Sequence, residues 1–218
     1  MISRRQFLAH APVAAGAAAG VFALSQAARA GRIPNYAPKL SDDGLYTQPW
    51  FVQSFLELKE DLAEAAQAGK RFAVIWEQRG CPYCREMHTN NFGIEEIRDY
   101  VSKNFAMVQL NLWGSREVTD FDGKKMEEKA LARRWRVVFT PTISFFPPTV
   151  AAVAGKSGRD AEVMRMPGLL KPFHFLTMFQ YVREEAYKRQ GFQRYLQAKF
   201  ADYKAKGIDP YRYDDWNK

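Results

Sequence analysis

The sequence predicts an α/β fold: a layered sandwich with a mixed central sheet flanked by helices, ending in a long C-terminal helix and a tail. Three observations carry this. Strand-length apolar runs alternate with segments of helical spacing. The central units run strand then helix, which implies parallel strands joined by right-handed crossovers. Two strand-like runs then follow one another before the final helix, so the sheet is mixed.

Each element has a local reason. Phe51, Phe55, Leu58, Leu62 and Ala65-Ala66 recur at helical spacing, and Gly69 stops that helix. Arg71–Glu77 reads as a buried strand around Phe72-Ala73-Val74-Ile75-Trp76. After the turn Gln78-Arg79-Gly80, a helix opens at Cys81 and runs to about His88–Asn91. A further helix, Ile94 to Lys103, leads into a second strand, Phe105 to Leu112. The polar stretch Trp113 to Lys125 holds Asp122-Gly123, a tight-turn signal that closes a small hairpin. Lys125 to Arg134 reads as a helix. Val137 to Phe146 reads as a strand with Pro141 inside it, which an ordinary central ladder does not hold. A loop with Gly155 and Gly158 leads to an antiparallel edge strand at Glu162 to Met166. Pro167-Gly168 turns the chain into a long helix from about Pro172. The aromatic, basic tail from Phe192 is expected to be helical to Gly207 and coil beyond it. Its Tyr195, Phe200, Tyr203 and Trp216 are expected to cover the domain's own core rather than a partner.

The N-terminus speaks about place. Ser3-Arg4-Arg5-Gln6-Phe7-Leu8 is a twin-arginine pattern, an Ala/Gly stretch runs from Ala11 to Leu24, and Ala28-Arg29-Ala30 is a small-x-small cleavage box. Residues 1–30 therefore read as a cleaved export signal, with an uncleaved anchor as the alternative. Residues 31–50 read as an extended lead-in, 51–190 as the domain and 191–218 as a helical and coil extension. No later segment is apolar enough to span a bilayer, so no stable membrane insertion is expected after cleavage. The formal net charge is +8; without Arg4, Arg5 and Arg29 it is +5. The remaining basic residues are mixed with acids, as in Lys124-Lys125-Met126-Glu127-Glu128, which reads as a solvated face and argues against a nucleic-acid partner.

The chain's two cysteines form Cys81-Pro82-Tyr83-Cys84, between the strand and the helix. That layout sets the first sulfur at the positive end of a helix dipole, where the thiolate is favoured. In an oxidising compartment a cysteine pair is commonly a staple. A loop this short removes little entropy from the unfolded chain, so it staples poorly and suits redox exchange better. Metal binding and an inert disulfide stay open as alternatives.

The dithiol after the first main strand, together with Thr140-Pro141-Thr142 entering a later one, resembles the thioredoxin superfamily over roughly residues 45–190, and so implies a thioredoxin-like three-layer sandwich. Within it the chain looks most like the exported SoxW-type thioredoxins of sulfur-oxidation systems. The shared stretches are Gly80 to Cys84, Leu131-Ala132-Arg133-Arg134-Trp135 ahead of Val138-Phe139-Thr140-Pro141-Thr142, and Pro167-Gly168-Leu169. The resemblance implies a periplasmic protein-disulfide reductase with no cofactor. Cys81 attacks, Cys84 resolves, and Pro141 is cis. The Thr140 backbone lies where a substrate strand pairs, its hydroxyl donates to the Cys81 thiolate, and Pro82 and Tyr83 belong to the substrate surface. The implied partners are protein thiols and disulfides, such as a sulfur-carrier or cytochrome-maturation cysteine, and an inner-membrane thiol electron donor.

Cytoplasmic thioredoxins carry a buried Asp in the strand behind the dithiol. The aligned position here is Ile75, and Glu77 is the nearby acid. Glu77 is a candidate proton relay to Cys84 through water, against the alternative of a solvated strand-end residue. No Gly-Gly element follows the last strand as in glutaredoxins, so glutathione use ranks low. Residues 31–50 are too short for a dimerisation domain, so a monomer is expected. His88 lies four residues after Cys84, on one helical face with it. Cys81, Cys84 and His88 could be read as a sparse copper or zinc site, or His88 as a packing residue. Arg79 and Arg85 flank the dithiol, and Tyr83 offers a contact surface. The competing functions are thus a metal-binding periplasmic protein and a non-catalytic binding module.

Overall fold

A computed structural model describes residues 37–213 of the chain. The export signal, the first residues of the lead-in and Trp216 lie outside the described residues. The lead-in forms a small antiparallel pair, β1 (Lys39–Leu40) and β2 (Tyr46–Thr47). The domain follows with α1 (Leu58–Gln67), β3 (Arg71–Glu77), α2 (Pro82–Glu86), one π-helical turn (Met87–Asn91), α3 (Glu95–Asn104) and β4 (Phe105–Asn111). Next come the hairpin β5 (Glu117–Thr119) and β6 (Lys125–Glu127), α4 (Glu128–Arg134), β7 (Thr142–Phe145), the short helices α5 (Val150–Val153) and α6 (Gly158–Ala161), and β8 (Met164–Pro167). The chain closes with α7 (Pro172–Arg183) and α8 (Phe192–Ala205).

The central sheet runs β4-β3-β7-β8, with β3 parallel to β4 and antiparallel to β7, and β7 antiparallel to β8. Strand parity sorts the core, because successive side chains point to opposite faces. Phe72, Val74 and Trp76 of β3, with Val108 and Leu110 of β4, pack with Leu58 and Leu62 of α1 and with Leu131 and Trp135. Ala73 and Ile75, with Phe105 and Met107, pack with Met87, Phe92, Ile97 and Val101 and with Phe175, Phe179 and Val182 of α7. Burying each such large side chain stabilises by about 1.5–3 kcal/mol. Glu77 and Gln109 continue this second parity series, so both point to the face that carries α2 and the π-helical turn.

Four elements differ from the sequence reading. The first helix starts at Leu58, not near Phe51. Leu56 has φ +64, which a helix cannot continue, and Phe55 is 98% exposed. Residues ahead of it run beside β4, with the Val52 N–H donating to the Met107 carbonyl at 2.9 Å. The helix expected from Lys125 starts at Glu128, because Lys125–Glu127 pair with Glu117–Thr119 across the Asp122-Gly123 turn. The strand expected from Val137 starts at Thr142: Pro141 has no N–H for a ladder, and Val138 and Phe139 are exposed before it. The expected loop around Gly158 contains α5 and α6. Gly158 packs on the Trp135 ring so closely that a Cβ there would sit 1.9 Å from it. Beside it, buried Asp120 accepts from Arg134, the Trp135 indole N–H and the Gly158 and Phe121 N–H groups, tying α4, the hairpin and α6 together.

The tail covers the core. Tyr195 and Leu196 of α8 are buried in it, and Phe200 and Tyr203 pack against it, edge-on to Phe173. No helix among the described residues is long and apolar enough to cross a membrane.

Glu96 in the first turn of α3 lies near Tyr203. Its Oε2 is buried without a hydrogen-bond partner among the described residues, and burial pushes its carboxyl up to about 7. Between its ordinary value and about 7 the folded chain holds a proton that the unfolded chain releases. This group's contribution therefore falls as pH rises through that window. Glu96→Gln should melt like the parent near pH 4 and at a higher temperature at pH 8, in paired thermal melts.

Candidate active site

Cys81 ends the turn after β3 and caps α2. Its backbone is extended (φ −75°, ψ 111°), and its sulfur accepts the Cys84 N–H at 3.0 Å. Pro82 takes the first helical position, where its missing N–H costs nothing. Cys81 and Cys84 form a disulfide with Cα atoms 5.2 Å apart. Both are buried, while Pro82, Tyr83 and Arg85 are exposed.

The second side of the site comes from the chain entering β7. The Thr140–Pro141 peptide bond is cis. Thr140 donates its hydroxyl to Cys81 Sγ at 3.3 Å, and its carbonyl oxygen lies 3.7 Å from the same sulfur. Phe139, half exposed, precedes it. Trp113 is 69% exposed and donates its indole N–H to Gln78 in the turn before Cys81, at 2.9 Å. Apolar rings thus flank the disulfide in the elements on either side of it. Arg79 leans the other way, donating to the Asp43 carbonyl at 3.2 Å. It lies so close to Gly44 (φ +78) that a Cβ there would meet its Nε at 2.7 Å.

Beneath the dithiol lies a buried polar chain. Glu77 is fully buried, which overturns the solvated strand-end alternative; parity along β3 points it inward. His88, also fully buried, reaches it from the π-helical turn, with Nε2 2.8 Å from Glu77 Oε1. Gln109 Nε2 donates to Glu77 Oε2 at 3.1 Å and to the Tyr46 carbonyl at 2.5 Å. Because Ile75 pairs with Gln109, the Gln109 side chain sits diagonally across from Glu77 on one face. Gln48, from the lead-in, sets its amide nitrogen 2.9 Å from His88 Nδ1. The rings of Tyr46, Phe51 and Phe92 lie 5.4 to 6.2 Å from the imidazole.

The sequence-derived site residues therefore gather on two sides. Thr140 meets the sulfur of Cys81 in the Cys81–Cys84 pair, with cis-bonded Pro141 next to it, Pro82 and Tyr83 are exposed, and Glu77 lies on the β3 face that carries α2. Gln48 and Gln109 were missed. Gln109 carried a signal, as an amide inside the otherwise apolar Phe105-Ala106-Met107-Val108-Gln109-Leu110 run, on the parity of Met107. Gln48 carried none, because its contact depends on how the lead-in folds back.

Residues 58–183 match the thioredoxin-like domain, and the chain belongs to that family. Among solved structures it is similar to a thioredoxin-fold protein from Helicobacter pylori, 22% identical over 64% of this chain and 85% of that one, with a TM-score of 0.47. A thioredoxin from Thermus thermophilus is 28% identical over 58% of this chain and 83% of that one (TM-score 0.43). The DsbH oxidoreductase is 14% identical over 73% of this chain and all of that one (TM-score 0.37). No curated protein matches the chain.

The Thr140 hydroxyl, 3.3 Å from Cys81 Sγ, is placed to donate to a thiolate there once the disulfide is reduced. Thr140→Val should move iodoacetamide alkylation of reduced Cys81 to higher pH, by about one pH unit. Peptide mapping across a pH series checks it, and an unmoved profile would show that the hydroxyl does not act on the thiolate.

Proposed function

We propose that this thioredoxin-like chain is a periplasmic thiol–disulfide oxidoreductase that reduces partner proteins through Cys81-Pro82-Tyr83-Cys84. The observation that carries the reading is the Cys81–Cys84 disulfide, with Cys81 capping a helix and its sulfur receiving the Thr140 hydroxyl and the Cys84 N–H. In the reduced protein those donors face a thiolate.

The Cys81 thiolate attacks one sulfur of a partner disulfide. A Cys81–partner bond forms, the partner S–S bond breaks, and one partner thiolate leaves and takes a proton from solvent. Cys84 then gives up its proton, and its thiolate attacks Cys81 Sγ. The mixed disulfide breaks, and the partner leaves with both cysteines reduced and two electrons gained. Glu77 is the proposed acceptor of the Cys84 proton, through water. Thr140, Pro141, Pro82 and Tyr83 form the partner-binding surface, and the exposed rings of Tyr83, Phe139 and Trp113 suit a protein partner better than a small polar one.

The twin-arginine pattern and the Ala28-Arg29-Ala30 box support export by the twin-arginine route. The SoxW-type resemblance supports the reducing direction, a sulfur-oxidation carrier among the partners, and an inner-membrane thiol donor that restores the dithiol. A monomer without nucleic-acid partners fits the mixed surface charge. The metal-binding alternative is weaker, since both His88 nitrogens already meet Glu77 and Gln48.

Equilibration with glutathione and dithiothreitol buffers measures the direction. A potential of roughly −250 mV or lower is expected for a reductase, and one above about −150 mV would mark a thiol oxidant and overturn the SoxW-type assignment.

A further inference from the structure

The buried chain behind the dithiol has a direction, and its donors and acceptors give it. An amide nitrogen only donates, so the Gln48 nitrogen facing His88 Nδ1 leaves that ring atom as the acceptor. The imidazole proton then sits on Nε2, aimed at Glu77 Oε1. Gln109 supplies an N–H to Glu77 Oε2, and its orientation is set by the Tyr46 carbonyl. Each carboxyl oxygen of Glu77 thus receives one N–H. A fully buried carboxylate without such donors is strongly disfavoured.

We infer that Gln48, His88 and Gln109 are positioning residues that hold Glu77 as a hydrogen-bonded carboxylate behind Cys84, with Gln48 fixing the His88 tautomer. This rests on the oxidoreductase reading and deepens it by assigning the resolving step to a relay built from outside the dithiol helix. The π-helical turn at Met87–Asn91 brings the His88 ring onto Glu77, and such turns recur at functional sites. Gln48 lies outside the stretch that matches the family domain, so the lead-in completes the relay. In the step itself the Cys84 S–H proton passes through water to a Glu77 oxygen, the Cys84 electron pair forms the bond to Cys81 Sγ, and the partner thiolate departs with the electrons of the broken bond.

Of the titratable side chains, His88 from the π-helical turn meets Glu77 itself, Tyr46 from β2 sets its ring 6.2 Å from that imidazole, and Cys84 lies in α2, four residues before His88. From the β4 side, Arg116 donates to the Gln109 carbonyl but is paired with Glu128. Cys84 is the one of these that must lose a proton during turnover, so a defect in the relay should appear in the resolving step and fade where hydroxide removes that proton.

The experiment mixes the reduced protein with 5,5′-dithiobis(2-nitrobenzoate) in a stopped-flow instrument. The first thionitrobenzoate released reports attack by Cys81, and the second reports resolution by Cys84. Gln48→Met and Gln109→Met should each slow the second release about tenfold at pH 7, keep the first within about twofold, and approach the parent rate near pH 10. His88→Asn should show the same pattern more strongly. Should it fail to fold, the two glutamine variants still decide. Parent-like second releases at every pH would overturn the inference and leave the oxidoreductase reading standing. So would equal slowing of both releases, or slowing that does not change with pH, since either is what a merely structural role produces. A parent protein that releases no thionitrobenzoate at all would overturn the oxidoreductase reading itself.

Discussion

A carboxylate shut away from water must be met by donors, and Glu77 imposes that constraint on everything around the site. Its needs run through three levels of the structure. The parity of β3 turns it inward, the β3–β4 register sets Gln109 diagonally beside it, and the π-helical turn after the dithiol brings His88 to its other oxygen. The lead-in then closes the chain through Gln48 and the Tyr46 carbonyl. Removing one donor from such a buried group leaves an acceptor unmet, at a cost of about 1–3 kcal/mol. The polar chain therefore binds the lead-in, the sheet and the dithiol helix into one unit.

The two faces of the sheet divide the labour. On one face, α1, α4 and the hairpin enclose a core closed by stacked and tilted rings of Phe121, Trp135 and Phe146, with Asp120 as its polar tie. On the other face, the dithiol helix, α3 and α7 share a core that α8 covers from outside. Tyr181 joins these parts, meeting Phe192 and Tyr195 edge-on and donating its hydroxyl to the Gln190 carbonyl. The segments on both sides of the family-matched stretch are thus structural: one supplies Gln48, the other shields the core behind α7.

Much of this was legible in the sequence. The β3 and β4 strands showed as apolar runs, and the dithiol showed by spacing, because both signals are local. The hairpin showed through Asp122-Gly123. The boundaries that failed were those set by tertiary contact. Phe51 and Phe55 fit a helical period, yet left-handed Leu56 and the Val52 bond to β4 hold that stretch out of a helix. Val137 to Thr140 look like strand residues, yet they form the approach to the sulfurs. Glu77 was visible as the nearby acid, but the polar chain behind it runs through His88 to Gln48, forty residues from His88 in sequence, and no local pattern announces that contact.

In the proposed exchange Cys81 attacks and Cys84 resolves. The measurement that tests it most directly is mass spectrometry of a Cys84→Ser protein after reaction with a disulfide-bonded peptide. A stable one-to-one mixed disulfide at Cys81 that added thiol releases is expected, and none in Cys81→Ser under the same conditions. No adduct on Cys84→Ser, or an equally fast adduct on Cys84 of Cys81→Ser, would contradict it.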